Sequence, residues 1–158
     1  MRVLSIDPGL GITGFSILES KRNKIYLLAY GTIKPNRKDN LPLRLNYLFE
    51  EMNKIMDKFT PDTLAIEDAF YRNNVKSAMI LGQARGSIIL SGVQANLPIY
   101  EFAPRKVKMS VCGNGAATKE QVSFMVSKIL KLNEPPKPFD VTDAMAVGIC
   151  FLNQARIL

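Results

Sequence analysis

Four of the fourteen acidic residues stand out by position. Asp7 closes a short apolar run, Val3 to Ile6, and Glu67 closes a second one, Thr63 to Ile66. Asp140 and Asp143 open the last helical stretch, three residues apart and therefore on one helical face. The chain contains no histidine. That excludes Ser-His-Asp and Cys-His nucleophile pairs, an HExxH zinc site and any imidazole general base. Chemistry has to come from carboxylates, lysines, hydroxyls or a metal. A metal held without imidazole or paired thiolates sits on oxygen, which selects Mg2+ or Mn2+ over zinc or copper. Each acid also has a plainer account: a strand-terminal acid can simply face solvent, and an Asp at a helix N-terminus caps N–H groups and suits the dipole. Capping explains one of Asp140 and Asp143. It explains the second less well, because two like charges on one face repel and raise one pKa unless a cation lies between them. Four acids from three elements make a hard-metal cluster if they converge.

The elements that must bring them together follow from periodicity. Val3 to Ile6 is a short buried strand ending at Asp7-Pro8-Gly9, and Ile12 to Leu18 and Ile25 to Ile33 complete an early three-strand meander. Leu45, Leu48, Phe49, Met52, Ile55, Met56 and Phe59 recur at steps of three and four, the apolar stripe of a helix that stops before Pro61. That helix connects the strand of Asp7 to the strand of Glu67 through a crossover that makes the two parallel neighbours. Their side chains then emerge side by side at the carboxyl ends, where open sheets bind ligands. A polar segment, Tyr71-Arg72-Asn73-Asn74, leads into a long helix from Val75 to about Ala95 with a narrow polar side of Lys76, Gln83, Ser87 and Gln94. So wide an apolar arc is either sandwiched in the fold or paired with a second copy; in a domain this small the second is expected, hence a homodimer. Pro98 to Phe102 is the fifth strand. A short basic helix follows over Arg105 to Val111, then a Gly113-Asn114-Gly115 loop and a capping box at Thr118 to Gln121 that opens a helix through Leu132. The last helix starts after Pro138, with Val141, Ala144, Met145, Gly148, Leu152 and Ala155 facing inward. The expected fold is α/β, a five-stranded mixed sheet flanked by helices.

Composition narrows the setting. In 158 residues, 47% of them apolar, neither repeats nor a linker interrupt the pattern, so residues 1–158 read as one domain. Two cysteines, Cys112 and Cys150, are too few for a disulfide framework or a CxxC zinc site and fit a reducing compartment. No apolar run approaches the roughly 20 residues of a membrane span, and the N-terminus lacks the layout of a signal peptide. The cytoplasm is the expected location. Twenty-one Lys and Arg give a formal charge of +7, which points to a polyanionic partner. Acids to hold ions beside bases to hold phosphates are the electrostatic layout of a two-metal nuclease.

The segments SIDPGLGITGFSI, AIEDAF, LGQARG and DVTDAMAVGI, in that order along nearly the whole chain, closely resemble the RuvC family of bacterial Holliday-junction resolvases within the ribonuclease H-like superfamily. The first segment alone also resembles the opening of sugar kinases and actin-like ATPases, but those need a duplicated domain and a second nucleotide motif. The resemblance implies a ribonuclease H-like fold and a homodimer that cuts a four-way DNA junction at two symmetric positions, leaving 5'-phosphate and 3'-hydroxyl ends. It implies Asp7, Glu67, Asp140 and Asp143 as catalytic metal ligands for two Mg2+ ions about 4 Å apart, with Mn2+ able to substitute. It implies that Phe70 stacks on an unpaired base, although an aromatic there also reads as core. By the same resemblance Tyr71 to Lys76 is a DNA-contacting loop, with Arg72 and Lys76 meeting phosphate. Lys108 and Lys119 fall where the family has lysines important for the reaction, as phosphate binders near the metals, and Arg105 and Lys106 position the DNA arms. On charge alone this basic stretch also reads as a solvated face. RuvA and RuvB are the partners implied, and a charge at Met79 or Leu81 is expected to give monomers. A noncatalytic junction-binding module, the competing reading along with another ribonuclease H-like nuclease, is expected to have lost an acid; all four are present.

Overall fold

The computed structural model describes residues 1–68 and 74–155. Strands β1 (Arg2–Asp7), β2 (Thr13–Lys21) and β3 (Lys24–Ile33) form the meander, helix α1 (Leu41–Phe59) crosses to β4 (Thr63–Glu67), and α2 (Val75–Gln94) crosses to β5 (Ile99–Phe102). Helices α3 (Pro104–Cys112), α4 (Lys119–Ile129) and α5 (Phe139–Ala155) complete the chain. The sheet order is β3-β2-β1-β4-β5, with β1 antiparallel to β2 and parallel to β4. This is the expected mixed five-stranded sheet, and β1 is its centre.

Strand alternation sorts the sheet into two faces. Leu4, Ile6, Ile17, Leu64 and Ile66 point to one side and are covered by α1 and α2. Val3, Leu18, Ala65 and Phe102 point to the other, under α3, α4 and α5. Each fully buried aliphatic side chain in these layers contributes about 1.5–3 kcal/mol. The stripe read for α1 is borne out: Leu48, Met52, Ile55 and Met56 are its buried residues, and Asn40 caps it by accepting from the Leu43 N–H at 3.1 Å.

Two readings of the helices need correction. In α4 the apolar stripe runs on to Leu132, but the helix ends at Ile129. Lys131 takes the left-handed conformation, φ 56°, and the Leu132 N–H turns back to the Ser127 carbonyl at 2.9 Å. Leu132 therefore packs on the core from outside the helix, the usual way an apolar residue follows a left-handed cap. In α2 the wide apolar arc is present, but single residues sit otherwise than expected. Ser87 sits where α2 meets α1, its hydroxyl donating to the Leu45 carbonyl at 3.0 Å, and Leu81 is buried in its own protomer. Val75, Met79, Leu90 and Val93 are the exposed ones, 53–78% accessible, with exposed Gly82 and Gly86 between them. No helix among the described residues is long and apolar enough to cross a membrane.

Candidate active site

Period-two alternation aims the two strand-terminal acids. Asp7 follows Val3 and Ser5 on the α5 side of β1, and Glu67 follows Ala65 on the same side of β4. Ile6 pairs with Ile66 in parallel register, so Asp7 and Glu67 occupy the next rung of neighbouring strands, about 5 Å apart in backbone spacing. Asp7 in turn pairs with Gly14 on β2.

Gly14 positions the second pair. A Cβ at residue 14 would stand 2.0 Å from the Asp140 carbonyl oxygen and 2.4 Å from its carbon, so only glycine lets the first turn of α5 rest on the β2 backbone beside Asp7. Farther along the same helix a Cβ at residue 148 would stand 2.6 Å from the Ser5 hydroxyl and 2.8 Å from the Leu18 side chain, above a buried Ser5–Ser16 hydroxyl pair 2.6 Å apart. Small residues on β1, β2 and α5 let the helix lie flat, and its acids arrive at the carboxyl end of the sheet. Asp140 is in the first turn, where the dipole favours it; Asp143 lies a turn deeper, with its side chain 18% exposed.

The loop after Asp7 is shaped by Thr13, whose hydroxyl donates to the Gly9 carbonyl and accepts the Gly9 N–H at 3.2 Å. The expected capping box at the start of α4 is present, with Thr118 accepting from the Gln121 N–H at 3.2 Å and Gln121 accepting in return at 2.9 Å. It places Lys119 at the first helical position, where Nζ lies 3.8 Å from Asp143 Oδ2.

Asp7, Glu67, Asp143, Lys108 and Lys119 line one cavity of about 200 Å³ floored by Val107, Val122 and Ala146. Asp140 lines an adjoining cleft with Asp7, Lys119 and the start of α2. The quartet thus brackets Asp7 from both sides instead of surrounding a single hollow. Among the described residues no three acid, Cys or His groups are drawn together tightly enough to enclose a cation. Electrostatics nevertheless couple all four. Burial, then the charges of Glu67, Asp143 and Asp140, hold the Asp7 carboxyl far above its ordinary value, with Lys119 opposing. Glu67 is raised by burial and Asp143, and relieved by a hydrogen bond with Asp7 and by Lys108 and Lys119. Burial also raises Asp143, which Lys119 opposes. Such a cluster is short of positive charge, and its donors are all oxygen; the residues present fit a hard divalent cation.

The other expected residues fall elsewhere. Arg105 and Lys106 line a different concavity on α3, with Lys106 Nζ 5.4 Å from the Phe102 ring. Lys76 is exposed in the first turn of α2, and Phe70 and Arg72 lie outside the described residues. A larger groove of about 720 Å³ opens at the opposite end of the sheet, along Ile25, Leu27, Ile129 and Leu132, with no acid in its lining. Two residues escaped the sequence reading. Gly14 is one. Arg85 is the other: its guanidinium bridges Asp68, at 3.3 Å, and Glu101, on the α2 side of the sheet. The same alternation that turns Glu67 toward α5 turns Asp68 the other way, and Arg85 in the LGQARG run anchors it next to the rung of Asp7 and Glu67.

The comparisons with known proteins agree along the chain. Residues 3–151 match the family model for crossover junction endodeoxyribonuclease RuvC. Proteins so described from Finegoldia magna and Halothermothrix orenii are 49% and 45% identical, over 96% and 99% of this chain and 93% and 95% of their own. The structure of Thermus thermophilus RuvC superposes with a TM-score of 0.90 at 30% identity over 99% of this chain and 96% of that one; the same protein in complex with a Holliday junction substrate gives 0.93. The yeast mitochondrial resolvase Ydc2, at 14% identity and a TM-score of 0.74, shares the fold, the ribonuclease H-like sheet expected from the sequence. With a family model spanning nearly all of the chain and relatives approaching half identity end to end, the chain belongs to the RuvC family.

Proposed function

We propose that this chain is a Holliday-junction resolvase, an endonuclease that cuts four-way DNA junctions by metal-dependent hydrolysis of phosphodiesters. The observation that carries the reading is the rung shared by Asp7 and Glu67 with the α5 acids seated against it through Gly14. It occurs in a chain whose relatives bear this name, one of them solved with a Holliday junction substrate.

Asp7, Glu67, Asp140 and Asp143 would hold two Mg2+ ions, Mn2+ serving in their place. When bound, such ions supply Lewis acidity for an attacking water and for the leaving 3' oxygen. Asp7 lines both concavities and would offer oxygen to a cation there, with Glu67 and Asp143 on one side and Asp140 on the other. Lys108 and Lys119, on the rim with the acids, present compact charges to nonbridging oxygens of the phosphate to be cut. Lys119 exchanges its contact with Asp143 for phosphate when DNA enters. Phe70 would stack on an unpaired base while Arg72, Lys76, Arg105 and Lys106 steady the DNA arms. Two such sites are needed for paired cuts. The exposed face of Val75, Met79, Leu90 and Val93 supports a two-fold pairing of α2, which would set their separation. The whole of residues 1–158 acts as one domain, in the cytoplasm, with RuvA and RuvB as partners.

A cleavage assay on a fixed four-way junction with Mg2+, comparing Asp7→Asn with the unaltered protein, tests the reading. Paired symmetric cuts that vanish in the variant while junction binding persists are the expected result. Equal cutting by both proteins overturns it.

A further inference from the structure

The segment between β3 and α1 takes no part in the site described above, yet the register brings it to the same end of the sheet. Ile33, the last residue of β3, pairs with Thr13, and the next residue of β2, Gly14, pairs with Asp7. With neighbouring strands about 4.8 Å apart, the segment begins about 10 Å from Asp7 across the sheet. It carries Lys34, Arg37 and Lys38, all exposed, against a single acid, Asp39. Among the described residues none of the three basic groups has an acidic partner within ion-pair distance, whereas Lys21, Lys54 and Arg85 each do.

The segment is also built to hold its shape. Pro35 is buried. The Asn36 side chain accepts the Lys38 N–H at 3.0 Å, the Asn36 carbonyl accepts the Asp39 N–H at 3.1 Å, and Asn40 caps α1. One turn into α1, Arg44 donates to the Leu10 carbonyl at 3.4 Å, which ties the loop following Asp7 to the same helix. The three cations therefore stand at a set place relative to the acids, on the flank opposite Lys108 and α3.

From this juxtaposition we propose that Lys34, Arg37 and Lys38 form a second phosphate-binding surface, which holds the duplex arm that leaves the acid-lined site on the β3 side. The inference rests on the nuclease reading above and adds a contact to it. A lateral offset of about 10 Å is about three base pairs of duplex at 3.4 Å per phosphate along one strand. The arm thus reaches the segment without having to bend back. Ammonium and guanidinium groups already in water lose little hydration on meeting phosphate, and the gain is counterion release, sequence-independent and steep in salt. Ordering that the turn at Asn36 has already imposed is not repeated on binding.

The test compares the intact chain with a Lys34→Gln/Arg37→Gln/Lys38→Gln variant. A control of equal charge change, Arg22→Gln/Lys24→Gln/Lys131→Gln, sits at the opposite end of the sheet. Affinity for a fixed four-way junction and for a linear duplex is measured from 50 to 200 mM salt, with thermal melts to establish that each protein is folded. Each lost phosphate contact lowers the slope of log K against log salt by about 0.9. The expected result is a slope lower by about 2 to 3 on both DNAs for the first variant, a change below about 1 for the control, and a cleavage rate at saturating enzyme within about twofold of the original. An unchanged slope in the first variant, an equal drop in the control, or no DNA binding by the intact chain overturns the proposal. If the intact chain binds both DNAs with the expected slopes and cuts no junction, the nuclease reading falls and the surface remains.

Discussion

The acid-lined end of the sheet and the outer face of α2 depart from a comfortable monomer in opposite directions. At the first, carboxyl groups are buried near one another and held above their ordinary pKa range. At the second, Val75, Met79, Leu90 and Val93 stand in solvent. Contrast α1, packed beside α2: it buries Leu48, Met52, Ile55 and Met56 and turns Asn46, Glu50, Lys54 and Asp57 outward. The difference teaches what each region lacks. Crowded carboxylates call for positive charge, and an apolar outer face calls for apolar cover. Both departures cost stability in the free chain, and the proposed function uses both.

Removing the charge deficit should have the greatest consequence. Asp7→Asn is expected to lower junction cleavage on the order of 10³-fold or more, since divalent-ion catalysis supplies several kcal/mol and each 1.4 kcal/mol is tenfold. The same variant should melt higher than the original protein when no divalent cation is present; a variant that melts lower would show that Asp7 is not under repulsion. Gly14→Ala attacks the same region through the backbone. With the Asp140 carbonyl at 2.0 Å, α5 must shift, and cleavage should fall about 10²-fold while stability drops by about 1–3 kcal/mol, read from denaturant melts.

On the apolar side, Met79→Glu should turn a dimer into a monomer by analytical ultracentrifugation, raising the dissociation constant about 10²-fold or more through desolvation of the new charge. Its far-ultraviolet circular dichroism should be unchanged. Leu81→Glu should instead unfold the protein, because Leu81 is buried in its own chain, and Lys54→Gln on the outer side of α1 should alter neither. A Met79→Glu protein that still sediments as a dimer would move the interface elsewhere.

The mildest effect is the pH dependence of the cation-free protein. Asp7 and Glu67 titrate above their unfolded values, so the folded state binds more protons than the unfolded one between the two sets of values. That stabilisation is complete below the ordinary carboxyl range and is lost as pH rises through the raised folded values. Between about pH 6 and 9 the melting temperature should fall by about 3–6 °C, equivalent to about 1–2 kcal/mol for a chain of this size. Mg2+ or Asp7→Asn should flatten the slope, and a melting temperature that climbs over this interval would contradict the burial of these acids.

Much of the layout was open to reading from the chain alone. Two apolar runs that each end on an acid, joined by one amphipathic helix, imply parallel neighbours with adjacent carboxylates. Period-two alternation and a crossover are local properties, and β1 and β4 bear this out. The capping box at Thr118 was legible for the same reason, since its partners are three residues apart. Leu81 and Ser87 were misplaced because a helical wheel shows which residues share a side but not which neighbour that side meets. Here α1 takes the Ser87 edge, and Leu81 is buried beside the loop that follows Asp7. Gly14 passed as one more residue of the strand over Ile12 to Leu18 because its role depends on a backbone 126 positions away.

Residue types alone narrowed the kind of chemistry: without histidine, and with acids at two strand ends and one helix start, any metal held here sits on oxygen. Packing decided the rest. Whether four acids meet, which of them shares a hollow with Lys108 and Lys119, and which side of α2 faces water depend on how closely α5 and α1 approach the sheet. Such approaches are set by volumes and backbone contacts between segments distant in sequence, which no local pattern encodes.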